Sequence, residues 1–423
     1  MPFDSLGLAP ALVQAAAESG YAAPTAIQAA AIPAILQGRD VRGSAQTGSG
    51  KTAAFSLPLL QRLAAEPAQA PRRVRALVLV PTRELAAQVG ETLRSLAQHL
   101  PERLKIAIAF GGVSINPQMM SLRGGADIVV ATPGRLLDLV EHNALKLGAV
   151  STLVLDEADR LFDLGFAEEL GRILALLPAQ RQNLLFSATF PPAIQALADG
   201  MLQDPAMIDV QGEPGTEPAI VQRVIEVDAN RRTQLLRHLL KENNWDRVLV
   251  FVATQHAAQT VAEKLYKNGV YAVPFHGDIA QGTRTGILAQ FKESRWDVVI
   301  ATDLAARGID IAQLPVVINY DLPRSPTDYI HRIGRTGRAG ESGLAISFVS
   351  AATEAHFRLI EKRQGLSLPR ERIEGFEPTE APVPMVDASG TGGVKGKRPS
   401  KKDKLRAANA LAAAKQGGSE QND

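Results

Sequence analysis

Short apolar runs punctuate the first half of the chain. Residues 75–80 contain ALVLV, and 127–130, 152–155 and 183–186 are alike: apolar on both faces, each followed by a polar cluster. A short run with no polar face is how a strand buried in a parallel sheet reads. Between these runs, 84–100 and 167–177 carry apolar residues at helical spacing. Alternating strand and helix predicts a doubly wound α/β lobe over 1–210. Residues 211–218 read QGEPGTEP, a linker composition. The alternation then restarts, with strands expected at 248–252, 297–300, 316–319 and 344–349, which predicts a second α/β lobe over 219–370. Residues 371–423 are left as a tail. From about residue 380 the pattern dissolves, and Lys395, Lys397, Arg398, Lys401, Lys402, Lys404 and Arg406 cluster in a stretch without aromatic residues. Such a segment buries too little apolar area to offset its ordering entropy, so a disordered basic tail is expected. Its charge fits either a solvated chain or an electrostatic arm for RNA phosphates.

Composition narrows this picture mainly by exclusion. The 423 residues are 45% apolar and 21% charged, enough for two full cores, and the net charge of +2 makes no case for nucleic acid by itself. The absence of cysteine excludes disulfides and thiolate metal sites, and the seven histidines are scattered, which argues against structural zinc. The opening MPFD lacks the regions of a signal peptide, and no apolar run approaches a membrane span. A cytoplasmic protein with no membrane contact is expected.

Two strings carry chemistry. Ala45, Gln46, Thr47, Gly48, Ser49, Gly50, Lys51 and Thr52 spell AQTGSGKT, a phosphate-binding loop with Ala45 in place of the first glycine. Gly48 and Gly50 let the backbone wrap phosphate oxygens, Lys51 supplies a point charge, and Thr52 offers a hydroxyl to Mg²⁺. The residues after it should form a helix whose N-terminus adds amide donors and a favourable dipole. Further on, Asp156, Glu157, Ala158 and Asp159 follow the apolar run Leu153-Val154-Leu155. Acids at the carboxyl end of a buried strand face the ligand crevice of an α/β sheet. Two carboxylates beside a triphosphate call for a cation, and Mg²⁺, an oxygen-loving ion that keeps its waters, fits. Asp156 is the expected magnesium-side acid, and Glu157 the group that positions or deprotonates the attacking water.

With these strings in view, residues 3–350 resemble the DEAD-box RNA helicases of superfamily two, whose name is spelled at 156–159. The resemblance implies two tandem RecA-like parallel-sheet lobes, ATP and Mg²⁺ as cofactors, and RNA as partner. Gly20, Tyr21, Pro24, Thr25 and Gln28 resemble the Q motif, which implies that Gln28 reads adenine while Tyr21 packs near the base. Pro81, Thr82 and Arg83, then Gly111 and Gly112, then Thr132, Pro133, Gly134 and Arg135 resemble the RNA-contact motifs of the first lobe. Ser187 and Thr189 resemble motif III, implying bonds to the DEAD acids, Asp159 included, that couple hydrolysis to lobe movement. In the second lobe, His276, Gly277 and Asp278 with Gln281 and Arg284 resemble a further RNA motif, and 251–254 is a looser match to motif IV. Thr302, Arg307, Gly308 and Asp310 resemble motif V, implying Thr302 on RNA and Gly308 and Asp310 at the ribose. The run 331–338, HRIGRTGR, resembles motif VI, implying His331 in coupling and Arg335 and Arg338 as arginine fingers. Ser49 and Tyr21 stand where the family often has Thr and Phe. The opening PFDSLGLAP and the lysine-rich tail resemble the bacterial RhlE-like branch.

The resemblance further implies a monomer in which ATP and RNA bind cooperatively as the lobes close, locally prying apart short duplexes without regard to base sequence. Contacts to the 2′-hydroxyl would select RNA over DNA. Ribosomal precursors or mRNA-decay proteins are its implied associates. Three other readings remain open at this stage: a DNA-acting superfamily-two translocase, an ATP-gated RNA clamp with little unwinding, and a phosphate-loop kinase, which motif VI and the second lobe oppose.

Overall fold

The computed structural model describes residues 2–45, 48–66, 70–210, 220–306, 314–337 and 343–380. The linker at 211–218, Gln46, Thr47, Gly308, Asp310, Arg338 and the basic tail after 380 lie outside the described residues.

Lobe one is built on β1 (Val41–Ser44), β2 (Ala76–Leu79), β3 (Ile106–Ala109), β4 (Ile128–Ala131), β5 (Thr152–Leu155), β6 (Gln182–Ser187) and β7 (Ala206–Asp209). Lobe two contains β8 (Ile220–Glu226), β9 (Val248–Val252), β10 (Ala272–Phe275), β11 (Val298–Thr302), β12 (Val316–Asn319), β13 (Gly343–Val349) and β14 (Arg370–Glu371). The strand orders are β3-β4-β2-β5-β6-β1-β7 and β10-β11-β9-β12-β13-β8-β14, so the second lobe repeats the order of the first strand for strand. Every pairing described is parallel. All carboxyl ends of a lobe's strands therefore lie along one edge of its sheet.

The apolar runs follow from burial on both faces. Ala76 and Val78 of β2 enter one core of lobe one, while Leu77 and Leu79 enter the other. In β9, Val248, Val250 and Val252 face one layer, and Leu249 and Phe251 the opposite one. Among the described residues no helix is long and apolar enough to cross a membrane.

Lobe two extends past the expected boundary at 370. Strand β14 pairs with β8, and the following segment crosses back over the lobe. Asp228, only 3% exposed, accepts from Thr379 N (2.9 Å) and Oγ1 (2.7 Å) and from Glu380 N (3.2 Å). A buried carboxylate must find donors, and residues 371–380 supply them, which is why they pack with the lobe.

Candidate active site between the lobes

The strand order sorts the candidate residues into two halves of each sheet edge. In lobe one, adjacent strands β5, β6 and β1 end at Asp156, Ser187 and the phosphate loop, while neighbours β3, β4 and β2 lead into Gly112, Thr132 and Pro81. The nucleotide and RNA candidates are thus segregated by topology. Lobe two repeats the division, with His276 and Gly277 after β10, Thr302 ending β11 and Thr254 after β9 on the corresponding half.

The phosphate loop leaves β1 at Ala45, which is buried and whose amide donates to Ser187 O. Gly48 and Gly50 adopt φ of 83° and 92°, the left-handed region that side chains disfavour. Gly50 caps helix Lys51–Ala65, and a Cβ there would lie 2.5 Å from Gln28 Nε2, so glycine is required twice over. Thr52 follows in the first turn. The buried Lys51 ammonium donates to Ala45 O at 2.7 Å.

Thr25 and Gln28 brace this loop. Thr25 starts helix Ala26–Leu36 in a capping box with Gln28, whose Oε1 accepts from Thr25 N at 2.9 Å. Thr25 Oγ1 donates to Ser49 O (2.8 Å), and Gln28 Nε2 donates to Gly50 O (3.2 Å). The fold itself therefore engages two of the four hydrogen-bonding positions of this amide. Tyr21 is half-buried against the lobe-one core.

The DEAD acids occupy a dry environment. Asp156 is 2% exposed, and its Oδ1 accepts from Glu157 N at 2.9 Å. Burial pushes the Asp156 carboxyl up to about 6; Lys51 opposes the rise, while Glu157 and Asp159 add to it. Glu157 adopts φ 53°, an uncommon conformation for a residue with a side chain, and caps helix Ala158–Asp163. Its buried Oε2 accepts no hydrogen bond and lies 3.5 Å from Arg160 Nε. Asp159 binds the strand-end turn after β6: Oδ2 accepts from Thr189 N (3.0 Å) and Oγ1 (2.8 Å), and Asp159 N donates to Ser187 Oγ (3.1 Å).

The charge of Asp156 has a stability consequence. Its folded-state pKa is above the ordinary carboxylate value, so the folded protein holds a proton that the unfolded chain releases between about 4 and 6. Stability contributed here falls as pH rises through that window, by up to about 3 kcal/mol for a shift of about 2 units. Asp156→Asn should raise the unfolding free energy of lobe one above about pH 7, with the gain vanishing near pH 4. Denaturant titrations at both pH values check this; an equal gain at both, or a loss at the higher pH, would contradict it.

On the other half of the lobe-one edge, Thr82 caps helix Arg83–Leu96 and accepts from Leu85 N. Gly112, at φ 76°, approaches Arg83 so closely that a Cβ would meet the guanidinium. Arg135, the third residue of helix Pro133–Glu141 after Pro133 and Gly134, donates to Val113 O at 2.7 Å, and its Nη1 has no hydrogen-bond partner. Turn, helix cap and arginine from three neighbouring strands thus meet along one surface.

The lobes touch at both halves. On the RNA-candidate half, the Glu84 carboxylate, 8% exposed, pairs with Arg284 Nη2 at 2.9 Å and accepts from Gln281 Nε2 at 3.3 Å. Arg284 was expected on RNA; its side chain is 3% exposed and engages Glu84, because a buried guanidinium requires a carboxylate. On the nucleotide half, Arg160 of lobe one lines a small cavity with Asp303, Asp328, His331 and Arg335 of lobe two. Arg332 has a structural place: it forks onto Asp303 (2.6 and 2.7 Å) and donates to Asn319 Oδ1 and Asp321 O. Sequence reasoning missed the roles of Glu84 and Arg160. Glu84 lies inside a motif string but its partner is far along the chain, and Arg160 follows the DEAD acids while the lobe-two residues that share its cavity are far along the chain.

The sequence matches the DEAD/DEAH box helicase family over residues 25–197 and the helicase conserved C-terminal domain over 231–340. It is 41% identical over 360 residues to the DEAD-box ATP-dependent RNA helicase CshA of Bacillus cereus, covering 85% of this chain and 67% of that protein. It is 42% identical over 375 residues to the ATP-dependent RNA helicase DeaD of Escherichia coli, covering 89% of this chain and 59% of the relative. The chain thus spans about two thirds of CshA and less of DeaD. Among solved structures, Saccharomyces cerevisiae Dbp5 bound to RNA and ADP BeF3 superposes with TM-score 0.78 at 33% identity, covering 88% of this chain and 95% of that one. A DEAD box protein from Methanococcus jannaschii gives 0.52 at 38% identity, covering 88% and 99%. These two lobes, with their divided sheet edges, belong to a nucleic-acid motor of the RecA-like class. The chain belongs to the DEAD-box family of ATP-dependent RNA helicases.

Proposed function

We propose that this protein hydrolyses ATP on binding RNA and uses the resulting lobe closure to separate short RNA duplexes locally. One observation carries the reading: Glu84 of lobe one is held by Arg284 and Gln281 of lobe two while Arg160 and Arg335 line one cavity, so both halves of the interface meet in one arrangement. The superposition on RNA-bound Dbp5, which spans both lobes, supports reading that arrangement as the closed state, since the more similar M. jannaschii sequence superposes less well.

In this reading Lys51 and the loop amides hold the phosphates, and Gln28 and Tyr21 meet the adenine. The residues fit a magnesium ion: Asp156 offers a buried carboxylate, Glu157 Oε2 accepts no hydrogen bond, and Thr52 opens the helix beside them. Bound there through water, Mg²⁺ would supply charge neutralisation to the phosphates. Glu157 takes the proton of the attacking water, and Arg335 and Arg338 stabilise the charge on the transferring phosphoryl group. Gly308 and Asp310 meet the ribose. Asp159, Ser187, Thr189 and His331 relay the state of the nucleotide to the interface. Pro81, Thr82, Arg83, Gly112, Thr132, Pro133, Arg135, Gly277 and Thr302 face the sugar-phosphate backbone, which carries no base information. Both half-sites lie in one chain, so a monomer suffices. The basic tail adds phosphate contacts, and the protein acts in the cytoplasm with ribosomal precursors or mRNA-decay proteins as its associates.

The Glu84 contact makes closure testable. Arg284→Ala removes the cation that Glu84 meets across the lobes and, within lobe two, a bond to Ala305 O and a cation–π contact with Phe275, so the effect on closure is read from affinities with and without nucleotide. RNA affinity in the presence of AMP-PNP should fall about tenfold relative to wild type, with nucleotide-free affinity retained. Measured coupling equal to wild type would remove this pair from closure.

A further inference from the structure

Lobe two carries an aromatic feature that the motor does not use. Tyr266 and Tyr271 are 58% and 61% exposed, and they are the only exposed tyrosine, phenylalanine or tryptophan side chains among the described residues. Their rings meet edge to face, with centroids 6.4 Å apart and planes at 78°. That geometry leaves ring faces open to solvent. Apolar rings of this size are ordinarily buried, so a pair held in water calls for an explanation.

The turn that presents them is fixed. Gly269 N donates to Tyr266 O, Val270 N donates to Leu265 O, and Val270 is buried. Asn268 accepts from Arg237 Nη1 and donates to Lys264 O. The surroundings are mostly basic. Lys264 and Lys267 are exposed beside the pair, and Arg237 braces it. The neighbouring acids are Glu263 and Asp297, and Asp297 faces inward, accepting from Tyr271 N at 3.2 Å. Position completes the case. Tyr271 immediately precedes β10, and His276 and Gly277 follow it. β10 is the outermost strand of its sheet, on the half that carries the RNA candidates. The pair therefore lies at the amino end of β10, about 20 Å along this outermost strand from Gly277 at the carboxyl end.

We propose that Tyr266 and Tyr271 form a second RNA contact, a stacking platform for bases of the single strand that leaves the lobe-two end of the crevice, with Lys264 and Lys267 on its phosphates. Aromatic faces with interleaved cations suit this because every base has a π face. The inference rests on the RNA reading above and adds to it a site outside the crevice.

The test compares the full-length protein with a Tyr266→Ala, Tyr271→Ala double variant and a Tyr266→Phe, Tyr271→Phe double variant. Dissociation constants are measured with AMP-PNP for single-stranded RNAs of about 10 and about 30 nucleotides. The alanine variant should bind the longer RNA about tenfold more weakly than wild type, with the shorter RNA and its stimulation of ATP hydrolysis unchanged. The phenylalanine variant, which keeps the ring faces, should match wild type on both. Unchanged affinity of the alanine variant for the longer RNA would overturn the platform and assign the pair to a protein partner. Equal losses in both double variants would overturn stacking. If wild type itself showed no RNA stimulation, the underlying reading would have failed instead.

Discussion

Glu157→Gln should bind ATP and RNA as wild type does yet hydrolyse ATP slower by a factor on the order of 10² to 10⁴. The substitution keeps the shape of the side chain and removes its negative charge together with its capacity to accept a proton. Its setting favours that role: the residue sits at φ 53° on the strand-to-helix turn, 5% exposed, with Oε2 free of hydrogen bonds and Arg160 3.5 Å away. A buried carboxylate at positive φ with one oxygen that accepts no hydrogen bond is poorly explained by stability alone. Single-turnover hydrolysis with RNA bound isolates the chemical step. Turnover near wild type would take Glu157 out of the catalytic role, while loss of ATP binding would give it a structural one.

Arg335→Ala should lower RNA-stimulated hydrolysis by about 10³ to 10⁵, the range seen when an arginine finger is removed from related NTPases. Arg335 is 7% exposed and shares its cavity with Arg160 of the other lobe, where the proposed site closes. Lobe one holds the phosphate loop and the DEAD acids, so ATP binding should survive, as should RNA binding without nucleotide. Arg335→Lys should not restore activity, because an ammonium lacks the planar fork that engages two oxygens. Equal losses in ATP binding and hydrolysis would show that the arginine supports the fold or the ground state instead.

Much of this architecture is legible in the sequence, and the gaps have physical causes. Strands buried on both faces announce themselves, as at 75–80 and 248–252. β1 does not, because VRGS is polar: Gly43 is there to admit Phe186, whose ring would lie 2.5 Å from a Cβ. The edge strand β14 is two residues long, charged and half-exposed, so no apolar run marks it. Residues 371–380 read as tail because their anchors, Asp228, Arg223 and Glu226 among them, lie about 150 residues earlier and their apolar contacts, Ile373 and Phe376, are isolated in the sequence. The nucleotide half of the site is readable since each motif is local, and the bonds between Asp159 and Thr189 are ones expected of motif III. Gln28 is only partly readable: its capping box and its bond to Gly50 O are additional to the proposed adenine contact. Contacts between lobes are the least readable. Glu84 looks like an ordinary acid at a helix start, a favourable place beside the dipole, and nothing local indicates Arg284 as its partner 200 positions on.

The central claim is that RNA completes an ATPase site divided between two lobes. Steady-state ATP hydrolysis with no nucleic acid, with single-stranded RNA and with single-stranded DNA of the same sequence tests it most directly. Strong stimulation by RNA and little by DNA is expected; equal stimulation by both, or by neither while ATP still binds, would show that RNA does not complete the site.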